Sequence, residues 1–223
     1  MIKKNIEIIE TKINQAKAPD QDVLLVAVSK YRSIESMLAV YEAGVSHMAE
    51  NRVQEFLEKY DLLPGDITWH LIGHLQTNKV KYAIGKTALI HSLDSIRLAQ
   101  EIQRQSQRKN VTTNVLIQIN IAKEASKYGF AQEEVEEAIE QILNMPNVMI
   151  EGLMCIAPLD ATEQMLNNYF KEMKSIYEKL KILYNNTDRI KMRYLSMGMS
   201  GDFELAVQNG ANLVRIGSAI FEE

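Results

Sequence analysis

The chain has 223 residues, and 46% of them are apolar, which is enough to bury one sizeable core. Its net charge of −4 and pI of about 5.7 argue against nucleic acid or an anionic membrane as a partner. The single cysteine, Cys155, excludes a disulfide framework and fits a reducing, cytoplasmic compartment. Cys155 could be a nucleophile, but no catalytic signature surrounds it. We therefore expect a small buried residue at a strand end.

The N-terminal segment predicts an amphipathic helix rather than a signal peptide. Ile2, Ile6, Ile9 and Ile13 recur at spacings of three and four, and charged residues occur throughout residues 1–17. Because its polar face mixes acidic and basic side chains, we expect this helix to pack against the domain rather than lie on a membrane. No stretch of the sequence reaches the length of a membrane span.

Predicted strands and helices alternate along the rest of the chain. The strands are residues 23–28, 45–49, 68–72, 88–92, 114–120, 148–154, 193–197 and 213–216. The helices are residues 33–43, 52–60, 77–84, 95–106, 131–143, 162–184 and 202–208, with a short segment from Ser218. Ser33 is placed to cap the first of these helices and Gly44 to end it.

Eight strand–helix units predict an α/β protein with a parallel sheet. This number favours a single (β/α)8 TIM barrel with an extra N-terminal helix, in one domain of residues 1–223. A doubly wound dinucleotide-binding sheet is the alternative. It is weakened because no Gly-x-Gly-x-x-Gly follows the first strand.

Two Gly/Ser turns follow the seventh and eighth strands. The first is Met197-Gly198-Met199-Ser200-Gly201-Asp202, and the second is Gly217-Ser218. Backbone N–H groups in such turns bind phosphate, and the loops after strands seven and eight are its common place in a barrel. Either turn alone could be ordinary cap chemistry, but two in succession favour phosphate. Asp202 must then point away, because a carboxylate repels a phosphate.

Two charged residues lie where the predicted strands end. Lys30 follows the first buried strand, so we expect its amine to be partly desolvated and close to Arg215. Both effects would increase the neutral fraction that can attack a carbonyl, although a surface ion pair is the alternative. Arg215, inside the eighth strand, needs a partner, either a carboxylate such as Glu50 or a ligand. The alternation does not settle whether Val214 or Arg215 faces inward.

The remaining polar residues near the strand ends are histidines and asparagines. His70 and His74 are four apart but straddle Gly73, so they do not share a helix face. No third ligand has clear spacing, and we expect no metal site. Asn51 and Asn78 are either polar groups at the strand-end rim or helix caps.

Five motifs, in chain order, resemble those of the pyridoxal phosphate homeostasis protein family. They are Val28-Ser29-Lys30, residues 49–55, residues 69–76, residues 196–203 and residues 214–218. The family comprises single-domain relatives of the alanine racemase N-terminal barrel, and the resemblance covers about residues 5–221. It implies a fold-type III pyridoxal 5'-phosphate (PLP) site, in which Lys30 holds PLP as an internal aldimine.

The resemblance also implies roles for the other site residues. Arg215 would face the pyridine nitrogen and keep it unprotonated, which makes the ring a poorer electron sink. Asn51 and His74 would line the ring pocket. The residues that would bind the phosphate are Ser200, Gly201, Gly217 and Ser218. Ser218 stands where threonine is common in the family, and Glu222 stands where glycine is frequent.

The function that the resemblance implies is non-catalytic. The protein would bind PLP in intracellular PLP (vitamin B6) homeostasis and supply, with indirect effects on amino-acid metabolism. PLP-dependent apo-enzymes are candidate recipients. The protein would be a monomer or a weak homodimer, and the N-terminal helix would cover the barrel floor or form a dimer face. The alternatives are a low-activity PLP-dependent amino-acid racemase and a Schiff-base aldolase acting on a sugar phosphate. Racemases add a second β-domain, for which 223 residues leave no room.

Overall fold

The structure is a computed structural model that describes residues 1–124 and 127–222. Within these residues, eight parallel strands pair in sequence order, and β8 pairs with β1 to close a barrel. The strands are β1 (Leu24–Val28), β2 (His47–Glu50), β3 (Thr68–Leu71), β4 (Leu89–Leu93), β5 (Thr113–Ile119), β6 (Val148–Cys155), β7 (Ile190–Ser196) and β8 (Leu213–Ile216). The predicted (β/α)8 TIM barrel is confirmed.

Helices cover the outside of this barrel. They are α1 (Ile2–Ala16), α2 (Ile34–Glu42), α3 (Val53–Tyr60), α4 (Val80–Ala83), α5 (Ile96–Lys109), α6 (Val135–Ile142), α7 (Glu163–Leu183), α8 (Phe203–Gln208) and α9 (Ser218–Phe221). Turns of 3-10 helix at Thr77–Lys79 and Gln132–Glu134 precede α4 and α6, so these two helices begin later than predicted. Ser33 caps α2 as predicted, because its side chain accepts a hydrogen bond from Ser36 N.

Alternate residues of each strand face two different cores. The outward residues, such as Ala27, Met48 and Trp69, pack beneath the helices. The inward apolar residues fill the barrel interior and include Val26, Val28, Ala49, Leu89, Leu116, Met154 and Leu213. In β8, Val214 belongs to the outer core, and Arg215 faces the interior. The structure thereby settles the alternation that the sequence left open.

The extra N-terminal helix belongs to the outer layer. The predicted stripe is buried at Ile6, Ile9 and Ile13, and α1 packs against α2, α8 and α9. Asn5 Nδ2 donates to the carbonyl oxygen of Ile220 at 3.0 Å. The predicted packing against the domain is therefore confirmed, and the chain's own helices cover the apolar face. No helix in the described part of the chain is both long and apolar enough to cross a membrane.

Candidate functional site

A cavity of about 700 Å³ opens at the carboxyl ends of the strands. The eight binding residues predicted from the sequence all line it: Lys30, Asn51, His74, Ser200, Gly201, Arg215, Gly217 and Ser218. They come from β8 and from the loops after β1, β2, β3, β7 and β8. The volume suits a small-molecule or cofactor site. Closure of the barrel has brought together residues that lie far apart along the chain.

The loop that carries Lys30 is held from its outer side by charged groups. Ser29 Oγ donates to Glu50 Oε1 at 2.7 Å, and Lys59 Nζ donates to the same oxygen at 2.6 Å. Lys59 Nζ also donates to the carbonyl oxygen of Ser29 at 2.8 Å. On the other side of Lys30, the backbone N–H of Tyr31 donates to Glu55 Oε2 at 3.0 Å. These contacts fix the backbone on both sides of Lys30.

One expectation about these charges is wrong, and one alternative is excluded. Lys30 is exposed rather than partly desolvated, because it lies in a turn beyond the strand end. Glu50 does not pair with Arg215, because it faces outward from β2 and binds Lys59. Burial raises the pKa of Glu50, and the hydrogen bonds from Lys59 and Ser29 oppose that shift. Lys59 itself is only 8% exposed, although it lies in a helix on the outside of the barrel.

The two Gly/Ser turns meet at one wall of the cavity. The backbone N–H groups of Gly217 and Ala219 both donate to Ser200 Oγ at 3.2 Å. Gly198 has a φ of +95°, and a Cβ there would lie 2.7 Å from Ala206 Cβ, so this turn requires glycine. The two turns that the sequence singled out therefore lie side by side in the fold.

Asp202 points away from the cavity, as the sequence analysis required of a carboxylate beside a phosphate-binding turn. Its Oδ1 accepts a hydrogen bond from the backbone N–H of Met199 at 2.6 Å, and Asp202 is not among the residues that line the cavity. Burial raises the pKa of Asp202, and the hydrogen bond from Met199 opposes that shift. The carboxylate is therefore turned toward its own loop and away from the cavity.

A third side of the cavity is built around His74. His74 Nδ1 lies 2.6 Å from Asp94 Oδ2, and the ring of Tyr128 stacks on the imidazole with centroids 3.7 Å apart. A Cβ on the preceding residue, Gly73, would overlap the carbonyl oxygen of Asn51. Sequence reasoning missed Asp94 and Tyr128. The place of Asp94 just after a strand was a usable signal, whereas no pattern marks Tyr128.

His70 and His74 belong to different environments. His70 faces the barrel interior, where its Nδ1 lies 2.9 Å from His91 Nε2, while His74 lines the cavity. Among the described residues there is no cluster of three or more His, Cys, Asp or Glu side chains that could hold a metal ion.

Arg215 lies at the floor of the cavity and is only 3% exposed. Its Nη1 donates to Ser196 Oγ at 2.5 Å, and its Nη2 donates to the carbonyl oxygen of Cys155 at 2.9 Å. Burial lowers the pKa of the guanidinium. Burial also raises the pKa of the Cys155 thiol to about 12, which disfavours a thiolate nucleophile. Cys155 is the small buried residue at a strand end that the sequence predicted.

Comparisons with known proteins place the chain in a family. The alanine racemase N-terminal domain family matches residues 2–223. A curated pyridoxal phosphate homeostasis protein from Aquifex aeolicus is 41% identical over 219 residues, which cover 98% of this chain and 94% of the relative. The chain belongs to the pyridoxal phosphate homeostasis protein family. Its curated relatives are named as homeostasis proteins rather than as enzymes.

Solved structures include one protein that is similar over the whole chain and a more distant fold relative. The structure of PipY of Synechococcus elongatus without PLP aligns over 100% of both chains, with a TM-score of 0.90 and 31% identity. Its structure with PLP bound aligns over the same extent, with a TM-score of 0.87 and 32% identity. The alanine racemase of Clostridium difficile shares the fold alone, with a TM-score of 0.73 and 16% identity over 99% of this chain and 60% of the racemase.

Proposed function

We propose that residues 1–223 form a single PLP-binding domain that takes part in intracellular PLP homeostasis and supply without turning over a substrate. The proposal is carried by one observation. A single cavity is lined by both Gly/Ser turns, by Arg215 and by Lys30, which is the only lysine among the described residues that line it. PLP has a phosphate, an aldehyde and a pyridine nitrogen, and this set of groups matches all three. PipY, which is similar over its full length, has a structure with PLP bound.

The phosphate would lie at the wall where the two turns meet. The N–H groups of Gly217 and Ala219 point at Ser200 Oγ, so a phosphate oxygen could take the same two donors if the hydroxyl turned to bind it as well. Ser218 lies beside these groups and keeps the hydroxyl for which the family often uses threonine. The nearby acid Glu222 is engaged by Arg32 at 2.9 Å, so its charge is partly compensated.

Lys30 would bond the aldehyde carbon. PLP supplies a carbonyl that condenses with a primary amine, so that a C=N bond forms and one water molecule leaves. Lys59 is close to the same loop, but it binds Glu50 and does not line the cavity. The geometry therefore favours Lys30 over the second lysine at this strand end. Asn51 and His74 also line the cavity, and the ring of the cofactor would lie beside them.

Arg215 would limit the chemistry that a bound cofactor can support. A guanidinium only donates hydrogen bonds, so a pyridine nitrogen beside it accepts one and stays unprotonated. An unprotonated ring withdraws electrons less strongly, and the carbanion chemistry of most PLP enzymes is then disfavoured. The alternative function is that of a low-activity amino-acid racemase. It rests only on the fold shared with the alanine racemase of Clostridium difficile.

The binding test compares three proteins incubated with PLP. The wild type should become yellow, and borohydride should fix the cofactor covalently to Lys30 in a peptide map. Lys30→Ala should lose the long-wavelength absorption band and the covalent adduct. Lys191→Ala is the matched control, since Lys191 is an exposed lysine in β7, outside the cavity lining. A wild type that cannot be loaded with PLP, or an unchanged Lys30→Ala spectrum, would contradict the proposed site.

The functional test follows the cofactor after it is bound. Loaded protein is mixed with a PLP-dependent apo-enzyme, and the recovery of that enzyme's activity is compared with the rate obtained from the same concentration of free PLP. Recovery that is faster than with free PLP supports a role in supply. Recovery that persists when a PLP scavenger is added supports it as well. Racemisation of an amino acid at an enzyme-like rate would favour the alternative function instead.

A further inference from the structure

A continuous row of polar side chains crosses the barrel interior and ends on Arg215. Arg215 Nη1 donates to Ser196 Oγ at 2.5 Å, and Ser196 Oγ lies 3.0 Å from His91 Nδ1. His91 Nε2 lies 2.9 Å from His70 Nδ1, and His70 Nε2 lies 3.0 Å from His47 Nδ1. The row runs from the cavity to half-buried His47, at the opposite end of the barrel. Branched apolar side chains usually fill such interiors, so a row of three histidines needs a reason.

The donors and acceptors in this row can satisfy one another in only one direction. A guanidinium only donates, so Ser196 Oγ accepts from Arg215 and still has its own hydrogen to give. The other polar neighbour of that oxygen, within the described residues, is His91 Nδ1. If His91 Nδ1 also donated, the Ser196 hydrogen would have no acceptor, so full pairing requires His91 Nδ1 to accept. A neutral imidazole that accepts at Nδ1 donates at Nε2, and the same reasoning carries through His70 to His47. All three histidines are thus assigned as Nε2–H tautomers, and every hydrogen bond points away from Arg215.

This direction suits the charge at the head of the row. Arg215 is buried and forms no ion pair with any carboxylate in the described ranges. Asp202, the carboxylate whose charge acts on Arg215, itself accepts a hydrogen bond from the backbone N–H of Met199. A buried charge without a counterion is costly, but dipoles whose acceptor ends all point toward the cation offset part of that cost. Each hydrogen bond also polarises the next one.

The histidines stay neutral in this environment, as the row requires. Burial, followed by the charge of His47, lowers the pKa of His70 to about 3. Burial is also the largest cause that lowers the pKa of His91, ahead of the charges of His70 and Arg215. At the far end, burial lowers the pKa of His47, whose surrounding cleft includes the carboxylate of Glu10. Proton uptake in the interior is therefore disfavoured over the physiological pH range.

We propose that Ser196, His91, His70 and His47 form a one-directional hydrogen-bond chain that positions Arg215 for the ring nitrogen of the cofactor. The inference rests on the proposed function for its ligand, but the chain exists in the protein alone. These four are positioning residues, because none of them lines the cavity, whereas Arg215 does. With Nη1 and Nη2 each held by one acceptor, rotation of the guanidinium is restrained, and its remaining N–H groups stay available to the cavity that Arg215 lines.

Nitrogen-15 NMR of the cofactor-free protein at pH 7.5 tests the chain directly. We expect His47, His70 and His91 to be neutral Nε2–H tautomers and the Arg215 side-chain N–H groups to exchange slowly with solvent. Nδ1–H tautomers, or a charged His70 or His91, would overturn the proposal. PLP plays no part in this measurement, so a failure of PLP binding would leave its result valid.

A second test breaks the chain away from the cavity. His70→Leu removes a group three hydrogen bonds from Arg215, and Leu89→Val is the control, because Leu89 is the register partner of His70 and is buried in the same interior. We expect His70→Leu to speed exchange of the Arg215 N–H groups, to weaken PLP binding about three- to tenfold, and to shift the absorption band. Leu89→Val should leave all three near their wild-type values.

The outcomes separate the chain from the proposed function. If His70→Leu keeps the wild-type Arg215 N–H exchange rates, PLP affinity and absorption band, the proposed hydrogen-bond chain is wrong. PLP binding would then remain supported. If the wild type binds no PLP, the proposed function is wrong. The exchange rates of the Arg215 N–H groups would then be the remaining test of the hydrogen-bond chain. If His70→Leu does not fold, the comparison of His91→Asn with His91→Leu takes its place. The asparagine oxygen can accept from Ser196, so His91→Asn should retain more Arg215 protection than His91→Leu.

Discussion

Lowering the pH from 7.5 to 5.0 should destabilise this protein through its buried histidines. His70 has an ordinary pKa of about 6.5 in the unfolded chain, and burial lowers it to about 3 in the folded one. Because the folded pKa is the lower one, the stabilisation is complete above about pH 6.5 and is lost as the pH falls toward 3. At pH 5.0, which is about 1.5 units below the unfolded pKa, His70 is protonated in the unfolded chain and neutral in the folded one. This difference lowers the free energy of unfolding by about 2 kcal/mol from His70 alone.

This loss is large against the about 5–15 kcal/mol that stabilises a typical domain. His91, whose pKa burial also lowers, adds to the loss in the same direction. Glu50 acts in the opposite direction, because a carboxyl whose folded pKa is raised stabilises the fold as the pH falls. A comparison between variants is therefore needed to isolate the histidine contribution.

Urea unfolding of cofactor-free wild type and His70→Leu, followed by circular dichroism at pH 7.5 and 5.0, makes this comparison. The wild type should lose about 2 kcal/mol more than His70→Leu over this pH interval. Equal losses, within about 0.5 kcal/mol, would show that His70 takes up a proton inside the barrel with little cost and would refute the reasoning.

Two further substitutions test the loops around the cavity. Lys59→Met should lower the free energy of unfolding by about 3 kcal/mol, because it leaves Glu50 buried without its cation, and adding Glu50→Gln should recover part of that loss. No recovery on urea unfolding would contradict the role of the pair. Gly73→Ala should cost roughly 1–3 kcal/mol, because its Cβ would overlap the Asn51 carbonyl. Gly65→Ala, where a Cβ meets no atom within 4 Å, should be near neutral in the same assay, and equal effects would argue against the overlap.

Positions at strand ends were the most informative part of the sequence. Lys30 and Arg215 were selected because a barrel collects its strand ends at one face, and both line the cavity. The same rule found Ser200 and Gly217. It did not predict the environment of each group, because desolvation depends on neighbours that come from other parts of the chain. Lys30 was consequently expected to be more buried than it is.

The histidine row could not be anticipated from the sequence. His91 and Ser196 are 105 residues apart, and their contact depends on the inward direction and the height of both side chains in the closed barrel. A shift of one residue in either strand would turn the side chain to the outer face. The partner of Glu50 has the same origin, because α3 must fold back over β2 before Lys59 can reach it.

Local patterns were sufficient for the elements of this protein and for their order. Apolar runs of strand length, amphipathic helical spacing and Gly/Ser turns are properties of neighbouring residues, so they identified eight strand–helix units and the turns that would bind a phosphate. Barrel closure decided everything that depends on distance through space: the cavity, the buried Glu50–Lys59 pair and the chain behind Arg215. The physical reason is that charge and hydrogen bonding are set by nearby atoms and by burial, and only the folded chain specifies both.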